Sequence, residues 1–441
     1  LVERIVSIKY SPTYLRIMPL TPNGYRPRIV DQMLERKLRV FGAVSVEGPK
    51  WCGKTWTAEN HAESEIKIAE NRGPLTNRDY VLADVRRALA GDSPHLIDEW
   101  QEVPQIWDTV RSDLDDHPGH GRYILTGSSV PKRETYIHSG TGRIARLKMR
   151  TMTLFETGDS DGSVSLHELM QGNLEMSEKR DVELEQLVDL VVRGGWPTAL
   201  TVEPEDYGLV PREYIESAIE DACRLDGKQR DMEKMRMLLK SLSRNESTVV
   251  SNETVKDDMK SYDDEKISND TYYDYSDCLN RIHLLEDTPS FKPNFRSSVR
   301  VGKKPKRHLT DVSLAVAALG LNRDKLMGDL NTFGFMFEAL CEHDLQIYAE
   351  SAGGSLYHYR DDSGREVDAI VEAEDGRWGA FEIKLGAGQI DGAAEHLLRM
   401  RDVFESRGGS PCVLCVISGL SKWAYQRPDG VFVVPITSLG P

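Results

Sequence analysis

Apolar side chains recur along this chain in two patterns, one helical and one of the short continuous kind found in buried strands. Residues 28–38, RIVDQMLERKL, have helical spacing, and residues 40–48, VFGAVSVEG, follow as a Val-rich run ending in glycine, as a buried strand feeding a turn does. Further short apolar runs lie at 94–100 (PHLIDEW) and 121–129 (GRYILTGSS), interleaved with the helix-like stretches TNRDYVLADVRRALA and VPQIWDTVRSDL. Strand and helix in alternation predict a parallel α/β sheet. The polar, Gly-rich segment TGDSDGS at 157–163 marks the end of that unit.

Beyond it the pattern changes. Residues 165–225 are mostly helical in spacing, which predicts a small helical lid. Residues 230–318 hold three short helical patterns and then the basic, Pro-containing stretch SFKPNFRSSVRVGKKPKRHLTD, the order of a winged helix. The last part opens on the helix TFGFMFEALCEHDLQIYA. Strand-like segments SLYHYRDD, EVDAIVEA and WGAFEIKLG follow, then the helix DGAAEHLLRMRDVFESRG and a final strand CVLCVIS. The predicted units are 1–160, 161–228, 229–322 and 323–441.

Length supports several units, because 441 residues exceed what one core organises and roughly 150 residues per domain gives about three. With 39% hydrophobic and 29% charged residues, and no apolar run of the ~18–20 residues a bilayer span needs, membrane insertion is excluded. The N-terminus LVERIVSIKYSPTYLRIMPL does not read as a secretory signal, and the cysteines at 52, 223, 278, 341, 412 and 415 form no dense framework. A reducing, cytoplasmic setting is the expectation. Cys412 and Cys415 read as two buried strand thiols rather than a metal or redox pair. The net charge of −15 argues against a chain coated in nucleic acid, though a local basic patch still binds phosphates.

Chemistry enters at the first strand–turn. Gly48-Pro49-Lys50-Trp51-Cys52-Gly53-Lys54-Thr55 satisfies GxxxxGK[ST] between a strand and a helix, with Trp56 next in line. Glycines let backbone N–H groups face phosphate oxygens, Lys54 neutralises the β and γ phosphates, and the Thr55 hydroxyl ligates Mg²⁺. A carboxylate at a neighbouring strand end completes such a site. Leu96-Ile97-Asp98-Glu99 supplies it, with Asp98 toward the metal and Glu99 polarising the attacking water. Thr126, in Thr126-Gly127-Ser128, either reaches the γ-phosphate or belongs to a plain turn. Arg143 and Arg146 are candidates for a transition-state arginine, in cis or from a neighbouring subunit of a homo-oligomer, or else lie on a solvated face.

A second constellation lies near the C-terminus. Glu366-Val367-Asp368 is followed by Glu382-Ile383-Lys384, and strand periodicity sets Glu382 and Lys384 on one face. A hairpin partner carrying Asp368 brings two carboxylates around one divalent ion, with Glu338 as the third, and Lys384 acting on the water or the phosphate. Surface carboxylates beside an exposed lysine are the plainer alternative. The basic segment Arg296, Arg300, Lys303, Lys304, Lys306 and Arg307 is either a wing on the DNA backbone or a solvated loop.

The stretches VEGPKWCGKTWTA, LIDEWQ, LTGSS, GTGRIARLKMRTMTLFE, RGGWPTAL, HLTDVSLAVAALG, TFGFMFEALCEHDLQIYA, HYRDDSGREVDAIVE and GAFEIKLG together resemble a prokaryotic family of AAA-type ATPases. That family has an AAA domain, a helical and winged-helix region, and a C-terminal nuclease-like domain of unknown function. The resemblance implies an α/β fold: a P-loop NTPase parallel-sheet domain, helical lid, winged helix and a restriction-endonuclease-like domain. It implies ATP and Mg²⁺ as cofactors, with Lys54, Thr55, Asp98 and Glu99 at the nucleotide and Arg143 near it. It places Glu338, Asp368, Glu382 and Lys384 at the positions of the PD-(D/E)xK fold. Residues 244–272 depart from the pattern in being unusually acidic and polar. Two functions compete: an ATPase that acts on DNA through the winged helix and a metal-dependent nuclease, and a nucleotide-switched regulator whose nuclease-like domain only docks a protein partner.

Overall fold

The Val-rich run at 43–47 becomes a strand of a parallel sheet because both of its faces are covered. The computed structural model describes residues 20–72, 75–132, 138–178, 182–260, 267–292 and 304–441. Among them, five strands stand in the order Ser64–Lys67, His95–Asp98, Tyr123–Gly127, Ala43–Glu47 and Ile144–Lys148, every neighbouring pair parallel. Ala43, Ile97, Leu125 and Ile144 face the helix Gln105–Asp116 through Trp107, Val110 and Leu114. Val44, Val46, Leu96 and Ile124 face the helix Ile29–Leu38 through Val30 and Leu34. Strands covered on both sides carry no polar alternation, which is why they read as continuous apolar runs.

The C-terminal part is also α/β. Ser355–Arg360, Glu366–Glu372 and Trp378–Lys384 form an antiparallel meander, which Val413–Ser418 and Phe432–Pro435 extend in parallel. The long helix Leu330–Ser351 packs through Phe337 and Leu345 against the face carrying Phe381, Ile383 and Cys415. The helix Ile390–Ser406 covers the other face through Leu397, Met400 and Phe404.

Between the two sheets, helices Met232–Arg244, Asn252–Lys260 and Asn269–Arg281 precede short antiparallel bridges, Leu285 with Leu309 and Thr288 with Lys306. These helices share one continuous apolar core with the helices Leu184–Arg193 and Leu209–Arg224 and with the C-terminal sheet. The boundary expected at residue 160 is crossed as well. Val164–Ser165 pairs with Leu439–Gly440, and Ser177–Glu178 edges the C-terminal sheet beside Trp423–Gln426. Two-residue strands have no periodicity to read, so the sequence pattern hides these straps. Cys412 also departs from expectation: it is exposed and precedes the strand in which Cys415 is buried. Arg296, Arg300 and Lys303 lie outside the described residues.

Candidate functional site: a phosphate loop and a carboxylate cluster

The loop from Gly48 to Gly53 joins the strand Ala43–Glu47 to the helix Lys54–Glu59. Gly48 is required by close approach, since a Cβ there would lie 2.1 Å from the Met149 carbonyl oxygen. Gly53 is required by its backbone, with φ of 103°, a region that side chains with a Cβ rarely adopt. The loop curls over its own lysine: buried Lys54 donates through Nζ to the Pro49 carbonyl at 2.7 Å. Cys52 is buried, whereas Trp51 and Trp56 are exposed.

Parallel pairing sets the ends of neighbouring strands side by side, and that brings Asp98 to the loop. The Thr55 hydroxyl donates to Asp98 Oδ1 at 2.9 Å, and the Thr126 hydroxyl donates to the same oxygen. Burial pushes the Asp98 carboxyl above the usual carboxylate range, against those two hydroxyl bonds. Glu99 follows in a left-handed conformation, φ 57°, and its carboxylate accepts from the Ser128 hydroxyl at 2.9 Å and from the Gln101 amide. Ser128 and Gln101 were not foreseen. The signal for Ser128 was present, because it stands two residues from Thr126 and so on the same side of an extended chain.

The buttress behind the loop was not foreseen either. Buried Arg28 donates to the Cys52 carbonyl at 2.8 Å and the Arg150 carbonyl at 3.0 Å, and pairs with Glu156 at 2.9 Å. In front, a cleft of about 570 Å³ opens between Lys50 and Trp51 of the loop, Gln101, Ser128 and the helix Leu209–Arg224. Trp51 meets Tyr214 of that helix edge-on at 5.6 Å, and Lys50 pairs with Asp221 at 2.7 Å.

Arg143 is placed elsewhere. It precedes the strand Ile144–Lys148, whose Ile144 pairs with Ala43, so it stands at the end of the sheet opposite the phosphate loop and is bound to Asp115 at 2.7 Å. A five-residue strand spans about 16 Å, so Arg143 does not reach the phosphate loop of its own chain. Arg146 pairs with Glu47 at 3.2 Å on the edge strand.

The C-terminal residues do gather. Asp368 Oδ2 accepts from the Ile383 amide at 2.8 Å and from Lys384 Nζ at 3.0 Å, and the same ammonium reaches Glu382 at 2.7 Å. His396, which the sequence reading omitted, holds the other Glu382 oxygen at 3.0 Å. Glu338 accepts from Ser247 at 3.0 Å and from Lys306, which also donates to Glu342 at 2.7 Å and to the Asp368 carbonyl at 3.2 Å. Burial and the neighbouring Asp368 charge push Glu338 up to about 8 against the pull of Lys306. Burial and Asp368 raise Glu382 too, while Lys384 and Lys306 hold Asp368 low despite its burial.

The expected arrangement was an open cage of three carboxylates around a metal. What is found is an ion-pair network whose carboxylate oxygens face lysine, histidine and serine donors of the chain itself. Among the described residues no group of three His, Cys, Asp or Glu side chains is disposed to hold a metal ion. The residues at the C-terminal cluster therefore do not fit a resident divalent ion as they stand. Lys306 was expected on an outward wing and instead points into this cluster, buried.

A third network joins the two regions. Buried Arg150, just beyond the edge strand Ile144–Lys148, pairs with Glu286 at 2.7 Å and with Glu350 of the long helix at 2.6 Å. Although burial works the other way, Arg150 and Lys148 hold the Glu286 carboxyl down at about 2. The Leu154 amide adds a bond to Asp344 of the same helix at 3.0 Å.

Three family models match the chain: residues 41–158 match an AAA domain, and residues 184–325 and 333–439 match two domains of unknown function, DUF8612 and DUF4143. No curated protein matches it. Among solved structures, the Walker-type ATPase PABY2304 of Pyrococcus abyssi aligns with a TM-score of 0.41 at 15% identity, over 65% of this chain and 94% of that one. The RuvB Holliday junction branch migration motor of Thermotoga maritima aligns with a TM-score of 0.26 at 15% identity, over 62% and 93%. The replication initiator DnaA bound to AMPPCP and single-stranded DNA gives 0.25 at 13% identity, over 57% and 85%. No described helix is long and apolar enough to cross a membrane. The loop, the lysine and the strand-end carboxylates all lie within residues 41–158, the stretch that matches an AAA domain.

Proposed function

We propose that the chain is a magnesium-dependent ATP hydrolase. In this reading Lys54 binds the β and γ phosphates, Thr55 and Asp98 hold the ion, and Glu99 takes the proton of the attacking water. One observation carries it: the Thr55 and Thr126 hydroxyls meet on a single Asp98 oxygen beside the phosphate loop. Hydroxyl and carboxylate are hard oxygen donors, the kind magnesium takes, so these residues fit the ion. When bound, it would neutralise charge on the phosphate oxygens. The chain's own contribution is positional: Ser128 and Gln101 fix the Glu99 carboxylate at the strand end, and the cleft beside Lys50 and Trp51 admits the nucleotide.

For the rest of the chain we favour a nucleotide-switched module over a cutting one. The support is the Arg150 network, which ties the edge of the ATPase sheet to Glu286 and to Glu350 on the helix that carries Glu338. A DNA partner with cleavage at Glu338, Asp368, Glu382 and Lys384 is the second reading, favoured by the gathering of those four residues in one cluster. ATP turnover with Mg²⁺ and cleavage of labelled DNA with Mg²⁺ or Mn²⁺ decide between them. Wild type should turn over ATP without cutting, and Glu99→Gln should keep ATP binding while losing about a hundredfold or more in turnover. DNA cutting that disappears in Lys384→Ala would replace the switch with a nuclease, and undiminished turnover in Glu99→Gln would remove Glu99 from its role.

A further inference from the structure

Lys306 stands in a segment whose composition suggests an outward, phosphate-seeking ribbon, yet its side chain is turned into the C-terminal cluster and only 6% of the residue is exposed. An ammonium has three N–H donors, and here all three have acceptors: a Glu338 oxygen, Glu342 Oε1 at 2.7 Å and the Asp368 carbonyl at 3.2 Å. Its backbone is held as firmly as its head. Lys306 and Thr288 exchange both main-chain hydrogen bonds at 2.9 Å, and the next residue, Arg307, is bonded in both directions to the turn carrying Ser247 and Thr248. Ser247 in turn donates to Glu338 and to Glu342, closing the ring of partners around the lysine.

These are oxygens that a divalent ion would use. A hard cation binds carboxylate and carbonyl oxygens at about 2.0–2.6 Å, and it cannot share them with an ammonium, because two cations would then face each other in a buried site. Lys384 plays the same part on the other side, between Asp368 and Glu382. It belongs, however, to the strand that carries Glu382, whereas Lys306 comes from a different part of the chain and inserts between the helix and the sheet.

We propose that Lys306 takes the place of a divalent ion in this cluster, a built-in counter-ion that keeps the C-terminal module closed to metal. The module then holds its carboxylates together without any added ion, and becomes a metal site only when Lys306 is withdrawn. This goes beyond the ATPase reading and is independent of it.

Mn²⁺ binding, followed by electron paramagnetic resonance on the full chain without nucleotide, tests this. All proteins carry Asp98→Asn so that the phosphate loop adds no signal. Lys306→Ala should bind Mn²⁺ at least tenfold more tightly than the Lys306 protein, and adding Glu338→Gln, which removes a carboxylate that Lys306 holds, should abolish the gain. Because Lys306→Ala leaves carboxylates facing one another without a donor, Lys306→Gln, whose amide can still donate to them but carries no charge, is measured beside it and should show the same gain. An Mn²⁺-dependent rise in Tm confined to proteins lacking Lys306 would support the proposal equally. Tight, Asp368-dependent Mn²⁺ binding with Lys306 intact would overturn it, as would a folded Lys306→Gln protein that binds no more tightly than its parent.

Discussion

The two carboxylate sites of this chain differ in what their buried oxygens touch. Asp98 is met by two neutral hydroxyls, from Thr55 and Thr126, while Asp368 and Glu382 are met by the ammonium of Lys384, and Glu338 by that of Lys306. Neutral donors orient a carboxylate and leave its charge for an incoming cation. Cationic donors consume the charge. Under the proposed function the first arrangement receives a metal–nucleotide complex, whereas the second holds itself together.

The contrast is tested most strongly by the same substitution on both sides. Asp98→Asn should reduce ATP turnover by about a thousandfold while leaving Tm nearly unchanged or raised, because a strained negative charge is removed from a buried place. Asp368→Asn should do the reverse, leaving turnover alone and costing about 1–3 kcal/mol of stability in denaturant unfolding, because it leaves the partly buried Lys384 with Glu382 as its one charged partner. Equal behaviour of the two variants would erase the distinction.

Next in size is the bridge between the regions. Arg150→Met should destabilise the chain by about 3 kcal/mol, since it leaves Glu350 without its cation and Glu286 with Lys148 alone. The same network sets an acid limit. Glu286 titrates near 2 in the fold against about 4.5 unfolded, so its contribution is present above pH ~4.5 and is lost as pH falls toward 2. Thermal unfolding between those values should show the loss in wild type and a flatter profile in Glu286→Gln. A wild-type Tm that is level across that window would argue against the pairing.

The smallest effect sharpens the edge of the phosphate site. Lys50 and Asp221 are each about half exposed, with side chains at 49% and 40%, and such pairs contribute roughly 0–1 kcal/mol. Lys50→Ala should therefore leave Tm within about 2 °C. A larger fall would mean that the lid is held to the loop by more than Trp51 against Tyr214.

The phosphate loop was legible because its requirements are local. Gly48, Gly53, Lys54 and Thr55 sit within eight consecutive residues, and each is demanded by backbone geometry or phosphate charge on the spot. Asp98 was found for a related reason: parallel strands end together, so a carboxylate at one strand end lies level with a loop two strands away. For Arg143 only the structure separates the cis alternative from action by a neighbouring subunit, because a Gly-Arg pair near a strand does not say which end of that strand faces the phosphate loop. The C-terminal hairpin was legible in composition and pairing, since alternation along Glu366–Glu372 and Trp378–Lys384 placed Asp368 beside Lys384.

The sequence by itself determined the strand–loop–helix unit, the acidic strand end and the α/β character at both ends of the chain, all through contacts set by spacing over a few residues. The tertiary structure alone decided that Arg28 would brace the phosphate loop from behind, that Val164–Ser165 would pair with Leu439–Gly440, and that Lys306 would turn inward to Glu338 and Glu342. A lysine in a basic segment reads the same whether it faces water or a buried carboxylate. Only the packing of helix against sheet, which desolvates Glu338 and Glu342 and leaves them short of a cation, settles which of the two it does.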